Sequence, residues 1–177
     1  MVMENIALLS DPVLPRFLFT LHDYASGMAV FRAAGQAGVP MSENGHPTIG
    51  FMSAPGAAGF MGEGWWQALI TQMEESAGQS IPHILDFGEN CGYAMMAVRG
   101  GQKLGVLGGD SAAAKAVRQL YADLGRHLFI TRPPSFDLIP SLSVTTHLAA
   151  FFTRSYCERT VPDHNSPEDK PEEGFPQ

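Results

Sequence analysis

Along residues 16–156 short apolar runs alternate with longer amphipathic segments. RFLFTLH (16–22), TIGFMSA (48–54), PHILDFG (82–88), KLGVLG (103–108) and HLFIT (127–131) read as strands. Their near-continuous apolar character suits a parallel sheet with crossover helices. Between them, YASGMAVFRAAGQAG (24–38) sets Met28, Phe31 and Ala34 on one broad face. GEGWWQALITQMEESAG (62–78) does the same with Trp65, Leu69 and Met73, flanked by Trp66 and Ile70. Both patterns follow the helical period of about 3.6 residues. NCGYAMMAVRGG (90–101) predicts a shorter helix closed by a Gly pair. DSAAAKAVRQLYADLG (110–125) predicts one that opens on an Asp110–Ser111 cap and ends at Gly125. After a turn region, RPPSFDLIPS, the segment SVTTHLAAFFTRSY (143–156) predicts a last helix that docks Leu148, Phe151 and Phe152 on the sheet.

The expected fold is therefore α/β, with about five parallel strands and crossover helices. Two arrangements fit: a truncated TIM-barrel arc, or a flavodoxin-like open sheet. A single domain over 1–156 accounts for the pattern, since 177 residues with 45% hydrophobic content can bury a sizeable core. From Cys157 onward the chain turns to Pro, Asp and Glu, so 157–177 reads as an acidic Pro-rich disordered tail.

Charge and cysteine content narrow the function classes. A net charge of -7 and a pI near 5.2 argue against a nucleic-acid or anionic-membrane surface, which requires clustered Lys and Arg. A neutral or cationic small molecule, or another protein, fits better. Cys91 and Cys157 lie far apart without zinc-ligand spacing, and the six histidines are scattered, so neither metal nor cofactor is expected. The N-terminus has no basic stretch ahead of a long apolar run, and no window reaches bilayer-spanning length. A cytoplasmic protein is the expectation.

In parallel α/β folds ligands bind beyond the carboxyl ends of the strands. That rule nominates His22 and Asp23 after the first run, Ser53 after the second, and Asp86, Glu89 and Asn90 after the third. Asp110 follows the fourth run and Arg132 the fifth. Asp86 is the candidate acid/base, with His22 assisting; Asp23, Ser53, Glu89, Asn90, Asp110 and Arg132 are candidate binding residues. An Asp at the position of Asp110 is more often a helix cap than a catalyst. No phosphate loop, GxGxxG, GxSxG or HExxH motif occurs.

The succession FTLHD, helix, TIGFMSAPGAAGFMG, helix, HILDFGEN, helix closed by Gly-Gly, KLGVLGGDS resembles the N-terminal half of class II fructose-bisphosphate and tagatose-bisphosphate aldolases over roughly residues 16–131. The resemblance implies a TIM barrel whose third strand ends in an LDHGE motif, its Asp the acid/base and its His a metal ligand. Here Leu85, Asp86, Phe87, Gly88 and Glu89 stand there, so the acid is kept and an apolar ring replaces the ligand. The family's other metal ligands and phosphate loops come from later strands, for which this chain has no counterparts. HILDFG followed by LFITRPPSFDLIPSL is also similar to a response-regulator receiver domain, with Asp86 as phosphoacceptor and Arg132-Pro133 at the Lys-Pro position.

Three functions follow as expectations. The first is a non-metal, aldolase-barrel-like domain that binds a small molecule or a protein partner, with open sheet edges that favour a homo-oligomer. Trp65, Trp66, Phe151 and Phe152 are its candidate contact residues. The second is a metal-independent lyase or isomerase using Asp86. The third is a degenerate receiver-like signalling domain.

Overall fold

The computed structural model describes residues 14–138 and 144–157. The tail beyond Cys157 and the N-terminal stretch before Leu14 lie outside them. Five main strands match the five runs: β1 (Phe17–Leu21), β4 (Ile49–Ser53), β5 (His83–Asp86), β6 (Leu104–Val106) and β7 (His127–Phe129). Two short strands, β2 (Ser42–Glu43) and β3 (His46–Pro47), form a separate antiparallel hairpin. A further strand, β8 (Phe136–Asp137), lies in the region expected to be a turn, and it pairs in parallel with β1. The helices are α1 (Tyr24–Gln36), α2 (Ala57–Phe60), α3 (Glu63–Ala77), α4 (Cys91–Arg99), α5 (Ala112–Asp123) and α6 (Val144–Cys157).

The sheet runs β7-β6-β5-β4-β1-β8, and every pairing in it is parallel. The five expected strands thus neighbour one another in chain order, as in a barrel arc. A flavodoxin-like sheet has the order 2-1-3-4-5, which is not found here. A truncated barrel arc would leave the first and last of the five strands as open edges; here β8 covers β1, so the edges of the sheet are β7 and β8.

Two sets of side chains alternate along the strands, as the two-residue period requires. Phe17, Phe19, Leu21, Ile49, Phe51, Leu85 and Leu128 join residues from all six helices in one large core. Leu18, Met52, Ile84, Val106 and Phe129 form a second cluster with no helical member, joined by Leu14 and Leu104. One residue from each main strand supplies that layer, and all five are buried. Among the described residues no helix contributes to this second layer, which is built from strand side chains and Leu14.

Local chemistry places each crossover. Asp23 caps α1 by accepting from the Ser26 N–H at 2.7 Å. Asn90 caps α4 by accepting from Gly92 and Tyr93 at 2.9 and 3.2 Å. At α5 the cap is Ser111, accepting from Ala114 at 3.1 Å. Asp110 is exposed and pairs with Lys115 at 3.0 Å, so its role is that of a surface ion pair beside the cap. The β2–β3 turn uses Asn44 (φ 52°) and Gly45 (φ 79°), the left-handed pair of a tight hairpin. Trp66 and Phe152 are buried in the helix-side core, which removes them from the expected contact surface; Trp65 remains 42% exposed. Phe151 and Phe152 pack edge-on to Phe17 at 5.6 and 5.4 Å between ring centroids, docking α6 on β1 as expected.

A polar cluster on the helix side joins α3 to the start of β5. The Trp66 indole N–H donates to His83 Nδ1 at 3.2 Å, and Gln102 Nε2 donates to His83 O at 3.2 Å and Leu104 O at 2.7 Å. Burial lowers the His83 pKa to about 4, Glu74 raising it and Lys103 lowering it by smaller amounts. Between pH 6.5 and 4 the unfolded chain therefore binds more protons at this site than the folded one, and stability falls as pH falls through that window. His83→Gln is expected to reduce this acid-side loss by about 2–3 kcal/mol. Urea denaturation of both proteins at pH 7 and 4.5 measures it; parallel losses in the two would refute the account.

Candidate functional site

Thr20 and Asp86 continue the concave rows of Leu18 and Ile84 by one step toward the carboxyl ends of β1 and β5. There the lining changes from apolar to polar. The Asp86 side chain is 4% exposed. Its Oδ1 accepts from the Gly88 N–H at 2.7 Å, and its Oδ2 accepts from Arg132 Nη1 in a short ion pair. Gly88 has φ 59°, so the turn that brings its N–H back to the carboxylate favours glycine.

Arg132 enters from the loop after β7 and reaches three strands. Besides Asp86 on β5, its Nη2 donates to Ser53 O at the end of β4 at 3.0 Å and to Thr20 Oγ1 on β1 at 3.4 Å. Ser53 Oγ in turn accepts from the Asp86 N–H at 2.9 Å and donates to Ala54 O at 3.2 Å. Thr20 Oγ1 and Ser135 Oγ lie 2.7 Å apart. Three of the five guanidinium N–H groups are used in these contacts, and the side chain remains 26% exposed. Two of its donors have no partner among these bonds.

His22 belongs to a separate pair on the rim. Its Nε2 lies 2.6 Å from Asp137 Oδ1, which links the end of β1 to β8. Asp86 and His22 therefore have different hydrogen-bond partners. Asp86 accepts bonds at both oxygens, a state suited to positioning Arg132 rather than to taking a proton from a substrate. Phe87 turns away from the mouth into the helix-side core, where a methyl group on Gly105 would lie 2.3 Å from its ring. It offers no ligating atom. Among the described residues no three His, Cys, Asp or Glu side chains are grouped so as to hold a metal ion.

Of the eight nominated residues, Asp86, Ser53 and Arg132 meet in one network. His22 stands on the rim, Asp23 and Asn90 are helix caps, and Glu89 and Asp110 are exposed. Thr20, Gly88, Ser135 and Asp137 were not nominated. Thr20 lies inside an apolar run, Asp137 belongs to a strand whose pairing is long-range, and Ser135 immediately precedes that strand. The polar residue in an otherwise apolar strand was the available signal for Thr20.

No family model, curated protein or solved structure matches the chain. The site rests on its own geometry.

Removing one member of a buried pair leaves the other charge without its partner. Arg132→Met is expected to destabilise the fold by about 3 kcal/mol, whereas Asp86→Leu combined with Arg132→Met recovers most of that loss. Chemical denaturation of the two single variants and the double variant gives the coupling. Additive losses would show that the pair holds nothing together.

Proposed function

We propose that this chain is a non-metal, aldolase-barrel-like half barrel that binds a small, neutral, hydroxyl-bearing molecule at the carboxyl ends of its strands. The carrying observation is Arg132, held by Asp86, Ser53 and Thr20 yet partly open to solvent. Its remaining N–H donors, the Thr20–Ser135 hydroxyl pair and the His22–Asp137 pair offer both donors and acceptors to a polyol or hydroxycarbonyl compound. Asp86 is matched by Arg132, so the mouth carries no large excess charge to demand an ionic ligand. The sequential strand order and the one-sided helices support the half-barrel reading.

A second reading, a metal-independent lyase or isomerase, has the His22–Asp137 pair in its favour. A carboxylate at Nε2 orients the ring. In that reading His22 rather than Asp86 takes the proton. The strand order lends no support to the receiver-like signalling reading.

One experiment separates the two readings: ligand-observed NMR in D2O of the full chain with glycerol, erythritol, dihydroxyacetone and glyceraldehyde. Binding predicts saturable contacts that Ser135→Ala weakens about fivefold through loss of a hydrogen bond. Catalysis predicts, in addition, deuterium uptake beside the carbonyl that His22→Ala abolishes. Absence of any saturable contact with the four probes rejects both.

Oligomerisation belongs to the same proposal. Phe60 on α2 and Met96 on α4 are 68% and 62% exposed, and Gly59 lies beside the Tyr93 ring, which brings the two helices together. A homodimer burying this patch would have twice the 19.1 kDa chain mass by light scattering, and Phe60→Ser with Met96→Ser would return it to the monomer. A monomeric parent protein contradicts the proposal. Among the described residues no helix is long and apolar enough to cross a membrane, and Cys91 is a free thiol, which agrees with the proposed cytoplasmic setting.

A further inference from the structure

The opposite pole of the sheet carries a second concavity. A cleft of about 530 Å³ opens among the entries to β5, β6 and β7, lined by Pro82, His83, Lys103, Leu104, Arg126 and His127 among others. Among the described residues no carboxylate lines it. In a chain of net charge -7 that is an unusual concentration of basic side chains.

The two permanent cations have no acidic partner. The ion pairs among the described residues join Arg16 to Glu43, His22 to Asp137, Lys115 to Asp110 and Arg132 to Asp86. Lys103 is exposed and in none of them. Arg126 donates from Nη1 to the carbonyls of Val98 and Gln102 at 2.7 and 3.4 Å, which position the guanidinium without neutralising it. The His127 N–H donates to Lys103 O at 2.9 Å, so residues 103 and 126–127 sit on neighbouring strand entries.

His83 adds a neutral donor. An indole N–H can only donate, so the bond from Trp66 makes His83 Nδ1 an acceptor and places the proton of the neutral ring on Nε2. Glu74 acts on His83 electrostatically, but its Oε1 is held by Ser80 Oγ and the Ile81 N–H at 2.9 and 2.8 Å. The residues lining the cleft thus include a lysine, an arginine and a histidine, drawn from three adjacent chain segments, beside Pro82 and Leu104.

We propose that this amino-pole cleft is a binding site for a small phosphate-bearing anion, with Lys103 and Arg126 engaging the phosphate oxygens. Several oxygens on one centre suit donors arriving from several directions better than a planar carboxylate does. The volume leaves room for an organic body against Pro82 and Leu104. The site lies at the far end of the strands from Arg132, so it stands whether or not the mouth binds a hydroxylated ligand.

The test is calorimetric titration of the full chain with pyrophosphate and with inorganic phosphate, ionic strength held constant with chloride and malonate as the carboxylate control. Saturable pyrophosphate binding is expected, and Lys103→Gln should weaken it about tenfold, the loss of one charge-assisted contact. Lys115→Gln, on the exposed side of α5, should leave it unchanged. Arg126→Gln provides a second variant, but because Arg126 also holds the end of α4, Lys103→Gln decides the matter. Absence of saturable heat, equal effects of the two Lys variants, or malonate binding as tightly as pyrophosphate would each overturn the proposal.

Discussion

A parallel sheet needs both faces covered, and in this chain helices reach only one of them. On the other face Leu18, Met52, Ile84, Val106 and Phe129 pack together as one buried cluster. That layer fills the interior with one side chain from each main strand. Just beyond it, at the carboxyl ends, the same rows become polar at Thr20 and Asp86. The mouth is thus a direct continuation of the packing problem: where apolar filling stops, something must satisfy a buried carboxylate.

Arg132 supplies that partner by folding back from the loop after β7. Its contacts with β1, β4 and β5 bind together strands otherwise joined by ladder bonds, and they carry the chain toward β8 on the far side of β1. Asp86 then has no oxygen free of a donor. In the aldolase-like motif the acid works beside a metal-ligating residue, whereas here the neighbouring Phe87 is a core side chain packed toward the helices. One substitution type and one ion pair change the meaning of an otherwise familiar strand end.

The two poles differ in electrostatic character. At the mouth, Asp86 is matched by Arg132, and His22 is hydrogen-bonded to Asp137, so the chemistry on offer is hydrogen bonding. At the amino pole, Lys103 and Arg126 face a cleft with no lining carboxylate. A protein with acidic overall charge can hold both because net charge says nothing about where the few cations are placed.

Hydrophobic patterning alone determined the five main strands, the four crossover helices and the last helix, because a buried strand and a core-facing helix impose their period on neighbouring residues. The Asp23 and Asn90 caps are similarly local, although their place after a strand end equally suits a ligand residue. The two-residue strand β8 left no periodic trace, since its pairing with Phe19 and Thr20 depends on residues more than a hundred positions away. The hairpin at Asn44-Gly45 did have a local signal in its dipeptide. Only the tertiary structure decided the strand order, the side of the sheet that takes the helices, and the partners of Asp86 and His22. Those outcomes depend on which distant groups arrive at the same place, and composition and spacing do not encode that arrival one residue at a time.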